Sequence, residues 1–334
     1  MIAFVGSGAT RNHGYSGWDK TFVDNYRKAI AATVEDELAT ASEKKTFTEK
    51  NNIARAIIKG LKANKGEAPL KSDVALNLDL LENLYGITRL PEDAEEFQKV
   101  RKKFAELFNP QSFKHEESKP EKVPLEKDVL QSLFSQLLIR RIITLNYDVE
   151  AEIAFLRQVR KCSRNTAIKD LVREFETLPD DTIDLTLDLP NGYRLRSLIA
   201  ERNKNDKLVE FALGAPDRTI SILHLHGRYD QPNSLVVSKR DYRDLYWRKD
   251  LSKPLVEQGL KSVFIGNPIL HIGIGMSEAD VTRTLEQFMS DTPLDVEFPR
   301  FILKNTFATE PENEAFRLRM FHDFGVYTIF DTDV

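Results

Sequence analysis

Short, mostly apolar runs set far apart along the chain constrain its fold more than any other feature. Ile2–Val5, Ile142–Leu145, Ile220–Leu225, Ile269–Ile272, Phe301–Leu303 and Val326–Phe330 are rich in Ile, Val, Leu and Phe and end in polar residues or glycine. A strand covered on one face alternates apolar with polar residues, whereas a strand covered on both faces is apolar throughout. These runs therefore predict strands buried on both sides. Helical periodicity fills most of the intervals: Val149–Val159 and Asn313–Phe321 show it. So does Ala279–Met289, with Val281, Leu285 and Phe288 on one side and Ser277 as N-cap. Strands alternating with helices predict an α/β fold, a Rossmann-like, doubly wound, mostly parallel sheet of about six strands.

Two intervals are too long for simple crossovers. Residues 35–140 hold helical candidates at Asn51–Leu61, Ser72–Leu84, Glu92–Phe108 and Glu126–Leu138, and read as a mainly helical insertion. A polar connector lies between Pro110 and Pro124. Residues 162–218 read as a smaller mixed insertion. Within them Asp184–Leu189 and Tyr193–Leu198 form an expected β-hairpin, because Asn191-Gly192 suits a turn with both residues at positive φ. The chain, residues 1–334, is thus expected to be one elaborated domain, where length alone suggests about two.

Composition narrows the function. Cys162 is the sole cysteine, which excludes an intrachain disulfide, a CxxC redox pair and a cysteine-rich zinc ribbon, and suits a reducing cytoplasmic setting. With 48 Lys+Arg against 52 Asp+Glu, the net charge of −4 does not indicate direct nucleic-acid binding or attraction to an anionic membrane. No apolar run approaches the roughly 20 residues that span a bilayer. Met1–Val5 runs into glycine with no basic region and is not read as a signal peptide. Arg101-Lys102-Lys103, set among Glu95–Glu106, reads as a solvated helix face. Lys239-Arg240 with Tyr242 and Tyr246 reads as a surface helix.

Residues able to carry chemistry gather at the carboxyl ends of the apolar runs, where ligands of open α/β sheets bind. Gly6-Ser7-Gly8-Ala9-Thr10 follows the first run, and such a small-residue turn lets amides approach a diphosphate. Arg11 stands where the dehydrogenase fingerprint has a third glycine or alanine, so the turn departs from that pattern. His13–Asp19 is either a surface loop or a cap over a planar ligand. Asn146, after the second run, both donates and accepts; Asp148 is a ligand contact or a helix N-cap. His224 and His226 alternate onto one strand face, but no carboxylate or cysteine sits at metal-ligand spacing. His226 reads as a general base with a reference pKa of about 6.5, and His224 as structural. Gly227 leaves room for a ligand. Gly273, Gly275, Ser277 and Asp280 follow the fourth run, Asp280 being also a plausible first-turn charge on the helix dipole.

As an ordered set these segments resemble the sirtuin-like NAD-binding domain, in the form found in bacterial antiphage-defence effectors. Gly6–Thr10 resembles the family's GAG-x-S loop, and Gly14–Trp18 the glycine-to-tryptophan segment after it. Leu145-Asn146-Tyr147-Asp148 resembles its Asn-x-Asp motif, Leu225-His226-Gly227 its His-Gly, and Gly273-Ile274-Gly275-Met276-Ser277-Glu278-Ala279-Asp280 its late Gly-x-Ser-x-x-Asp segment. The resemblance implies NAD⁺ as substrate, with Gly6, Ser7, Gly8, Ala9 and Thr10 at the diphosphate and Gly275 and Ser277 at the adenosine half. Trp18, Asp148, Gly273 and Asp280 complete the implied NAD contacts. Asn146 would orient water or the ribose, and His226 would act as base or bind ribose hydroxyls. Sirtuin deacylases carry a four-cysteine zinc module after the His-Gly segment, but Gly227–Ile272 contains no cysteine. No metal is therefore expected. Hydrolysis of NAD⁺ to nicotinamide and ADP-ribose is favoured over the alternatives: protein deacylation, ADP-ribosyl transfer, or a non-catalytic NAD/ADP-ribose-sensing module. Activation by homo-oligomerisation or by a sensor partner is implied in the same way.

Overall fold

All six apolar runs form strands of one sheet in the computed structural model. It describes residues 1–10, 13, 15, 20–36, 38, 40–60, 71–87, 94–112, 128–179, 182–201, 206–214, 216–246, 255–274, 299–305 and 307–331. The expected helix at 279–289 and four site candidates, Trp18, Gly275, Ser277 and Asp280, lie outside the described residues.

The strands are β1 (Ile2–Val5), β2 (Arg141–Thr144), β3 (Leu185–Asp188), β4 (Arg194–Ile199), β5 (Thr219–His224), β6 (Ile269–Ile272), β7 (Arg300–Asn305) and β8 (Val326–Asp331). Their order is β3-β4-β5-β2-β1-β6-β7-β8, and every neighbouring pair is parallel except β3–β4. The count is eight rather than about six, and one cause accounts for the difference. The expected hairpin is no separate excursion, because β4 pairs in parallel with β5 along its whole length and extends the main sheet. Its turn carries Asn191 at φ 62° and Gly192 at φ 72°, as Asn-Gly chemistry favours.

β1 shows why the runs are mostly apolar. Ala3 and Val5 enter one core, with residues of α1 (Lys20–Glu35), α2 (Ala41–Gly60), α3 (Lys71–Tyr85), α4 (Ala94–Ala105), α5 (Val129–Ser135), α6 (Glu150–Arg160) and α7 (Arg164–Glu176). Ile2 and Phe4 enter the other, with residues of α8 (Asp206–Leu213), α9 (Lys239–Tyr246), α10 (Leu255–Gly266) and α11 (Glu310–Phe324). Each such fully buried aliphatic or aromatic side chain contributes about 1.5–3 kcal/mol. Among the described residues no helix is long and apolar enough to cross a membrane.

Arg101 overturns the reading of its cluster as a solvated face. Lys102 is exposed and Lys103 reaches Asp36 through Nζ at 2.7 Å, so only Arg101 departs from that reading. Arg101 is 1% exposed and pairs with Asp241 at the start of α9, and its Nη1 donates to the Leu235 carbonyl at 2.9 Å. A lone buried guanidinium would be prohibitively costly, so the carboxylate across the helix boundary makes this burial possible.

Candidate functional site

A cavity of about 490 Å³, open mouth included, lies beyond the carboxyl ends of β1, β2 and β5. From β1 the sheet grows toward β2 on one side and β6 on the other, so the cavity lies where the strand order reverses. Its polar wall brings together Ser7, Thr10, Asn146, Asp148 and His226, which are far apart in sequence. Its aromatic wall is Tyr15, Phe22, Phe108, Tyr147 and Tyr242.

Asn146 is fixed by bonds from three directions. Its amide N–H donates to Thr144 Oγ1 at 3.0 Å, and its Nδ2 to the Gly6 carbonyl at 3.3 Å and Thr10 Oγ1 at 3.2 Å. Its own carbonyl lies 3.2 Å from Nδ1 of His224, whose Nε2 lies 2.7 Å from Glu152. Ser197 donates to the same carboxylate at 2.5 Å. Burial alone raises the Glu152 carboxyl, but His224, Ser197 and Arg228 outweigh it and hold the group below its ordinary value. His224 is thus structural, as its sequence context suggested. Asn146 Oδ1 is left without a protein donor among the described residues.

Asp148 sits at the entry to α6, where its Oδ1 accepts from the Glu150 amide at 3.2 Å, and it also lines the cavity. Asp148 thus supports the start of α6 from one position before its N-cap, Val149. Burial, and then the Glu150 carboxylate, push its pKa up to about 7. His226 moves the other way, since burial lowers its pKa to about 3. The sequence pointed to His226 as the group poised near neutrality; the structure gives that place to Asp148.

Two further expectations at this turn are corrected. β5 ends at His224, so His226 leaves the strand and does not share partners with it. His226 Nε2 instead lies 2.9 Å from the Tyr246 hydroxyl, and its ring meets Tyr242 edge-on at 5.1 Å. Gly227, at φ +88°, makes room for the chain itself, because a Cβ there would lie 2.4 Å from the Ser234 carbonyl oxygen. Tyr242 and Tyr246 are likewise not a surface patch. Their i, i+4 spacing on α9 was the available signal, since it sets both rings on one helix face. Phe22 and Phe108 had no local signal; α1 and the turn Glu106–Phe108 deliver them from the helical layer.

The glycine loop is built differently from a free phosphate cradle. Gly6 N–H donates to the Ile272 carbonyl and Gly8 N–H to the Gly273 carbonyl, both at 2.9 Å. Ala9 and Thr10 amides bond back to Gly6 and Ser7. A Cβ on Gly8 would lie 2.8 Å from Gly273 Cα, and one on Gly273 (φ +65°) 2.2 Å from the Ala9 nitrogen. The missing side chains let two loops pack backbone to backbone. Ser7 and Thr10 are the loop residues that line the cavity.

Aromatic side chains lining one cavity with an acceptor, a near-neutral carboxyl and two hydroxyl residues suit a planar, polar ligand. That donor and acceptor set fits the nicotinamide riboside half of NAD, whose ring is flat, whose carboxamide donates and accepts, and whose ribose carries hydroxyls.

Comparison with curated proteins gives no match. Residues 140–329, from the residue before β2 into β8, match the SIR2-like domain family. With the match covering more than half of the chain, the protein belongs to the SIR2-like domain family, whose sirtuin-type chemistry uses NAD.

Proposed function

We propose that the protein is an NAD⁺ glycohydrolase that releases nicotinamide and ADP-ribose, and that NAD⁺ depletion is its output as an effector of antiphage defence. The convergence of Asn146, Asp148 and His226 on one cavity that aromatic side chains also line carries this reading. Nicotinamide is a neutral leaving group departing from a cationic pyridinium, so the leaving nitrogen takes the bonding pair and needs no acid. The transition state is oxocarbenium-like. The site must hold the ring, steady the positive ribose and admit one water. Aromatic faces attract the pyridinium cation, Asn146 Oδ1 accepts from water or a ribose hydroxyl, and Asp148 accepts the proton when ionised. Gly227–Ile272 contains no cysteine for a zinc module, which favours hydrolysis over deacylation. Gly275 and Ser277 are assigned to the adenosine half, Asp280 to a further NAD contact and Trp18 to the cap. The helical layer, whose Phe108 reaches the cavity, is the place where oligomerisation or a sensor partner acts.

Incubation of the purified chain with NAD⁺ and quantification of free nicotinamide tests the reading. Asn146→Ala and His226→Ala are each expected to lower turnover by about 10²-fold or more. Turnover equal to the wild type in both variants refutes the site. Release that depends on an added acyl peptide selects deacylation, and labelling of an acceptor protein selects transfer. Binding of NAD⁺ without turnover selects a sensing module.

A further inference from the structure

α9 does more than line the cavity. Its start is pinned by Asp241 Oδ2, which accepts from the Val237 and Ser238 amides at 2.9 Å each and pairs with buried Arg101. Val236, just before it, donates its amide to the His226 carbonyl at 2.9 Å. Tyr242 and Tyr246 stack with rings 19° from parallel and 6.2 Å apart, and both meet the His226 ring edge-on. The imidazole is thus held at its backbone, by two edge-on tyrosine rings and at Nε2. Nδ1 has no hydrogen-bond partner among the described residues.

We propose that Tyr246 is a positioning residue for His226: its hydroxyl donates to Nε2 and keeps the imidazole proton on Nδ1. His226 then meets the cavity as a hydrogen-bond donor and not as a base. A phenol O–H is the stronger donor of the pair and an sp² ring nitrogen the stronger acceptor, so this direction is preferred to Nε2–H donating to a phenolic oxygen. Burial supports it, because it keeps the ring neutral and leaves a single proton to place. The catalytic meaning rests on the NAD⁺ reading above: Nδ1–H would hold a ribose or water oxygen, while Asn146 and Asp148 accept.

The test uses the full chain labelled with ¹⁵N-histidine, whose imidazole nitrogen shifts and couplings distinguish the two tautomers. The His226 signal is identified by its loss in His226→Asn. The wild type is expected to show a protonated Nδ1 and a bare Nε2, and Tyr246→Phe to move proton population onto Nε2 while its thermal unfolding stays cooperative. A wild-type proton on Nε2, or an unchanged tautomer in Tyr246→Phe, overturns the proposal. The spectrum needs no turnover, so it stands apart from the NAD⁺ reading. In the nicotinamide assay Tyr246→Phe is expected to lower kcat about tenfold, the worth of one hydrogen bond, with KM within about threefold. Unchanged kcat overturns the positioning role, whereas a silent wild type refutes hydrolysis by the chain alone and leaves the tautomer to the spectrum.

Discussion

Arg101 in α4 and Asp241 at the start of α9 form an ion pair with both side chains 1% exposed. The pair binds the helical layer to the segment that supports His226 from behind, since Arg101 also holds the Leu235 carbonyl. The helical layer is therefore part of the site's framework.

Arg101→Met takes the guanidinium away from the buried Asp241 carboxylate, and is expected to cost about 3–5 kcal/mol in urea denaturation. In the double variant Arg101→Met/Asp241→Asn the charge is gone, and the amide oxygen still accepts from Val237 and Ser238. Recovery of at least about half of the lost stability is expected, as a coupled pair requires. A double variant as unstable as the sum of the two singles would show that the pair is not coupled.

Asp148 sets a stability cost at the site. Its folded pKa of about 7 exceeds the ordinary 3.8, so the folded chain binds the proton more tightly than the unfolded one. Its contribution favours folding below about pH 3.8 and is lost as pH rises toward 7. Asp148→Asn is expected to be more stable than the wild type at pH 8 by about 2–4 kcal/mol, with the gap closing near pH 4. Nicotinamide release should fall in the same variant, the usual opposition of stability and function. A gap that does not change with pH would exclude ionisation as its cause.

His271 on β6 is fully buried against Phe4 and Phe264, and neither ring nitrogen has a hydrogen-bond partner among the described residues. Burial, with Arg300 adding to it, lowers its pKa from 6.5 to about 3. Here the sign is opposite: the contribution is present above pH 6.5 and lost as pH falls toward 3, by about 1.4 kcal/mol per pH unit. His271→Leu should therefore soften acid denaturation, with little or no loss of stability at pH 8 because no hydrogen bond is removed. An unchanged acid limb would count against it.

Gly273 and Gly86 separate strain from collision. Both have positive φ, +65° and +83°, but a Cβ on Gly86 meets nothing within 4 Å. Gly86→Ala should cost about 1–2 kcal/mol of left-handed strain. Gly273→Ala must also force the Ala9 loop aside, and about 3 kcal/mol or more is expected, with loss of NAD⁺ binding. Equal costs in thermal unfolding would show that the two loops can part freely.

The strands were legible because two-sided burial writes itself into every residue: β1 and β6 have the boundaries their apolar runs gave. The polar wall was legible too, since Ser7, Thr10, Asn146, Asp148 and His226 all follow such runs. The aromatic wall was legible only in part, through Tyr15 in the segment read as a cap and Tyr147 beside Asn146. Phe22 and Phe108 are brought in by tertiary packing, and an apolar side chain in a helix reads the same whether it faces a core or a cavity. The role of Arg101 was hidden for a related reason, as its partner stands 140 positions away in a different helix. His226 misled through its reference pKa, which describes a solvated imidazole and not one enclosed by Tyr242 and Tyr246.

The position of β1 in the sheet bears on how the protein is made. Ala3 pairs with Ile142 on one side and Leu270 on the other. During synthesis at about 5–20 residues per second, Ile2–Val5 waits for β2 and then much longer for β6, an apolar strand with both edges open. The middle of the sheet closes only when most of the chain has left the ribosome. Such long-range closure is slow and leaves sticky edges exposed, so nascent chains arrested before Ile269 should be the species that holdase chaperones capture.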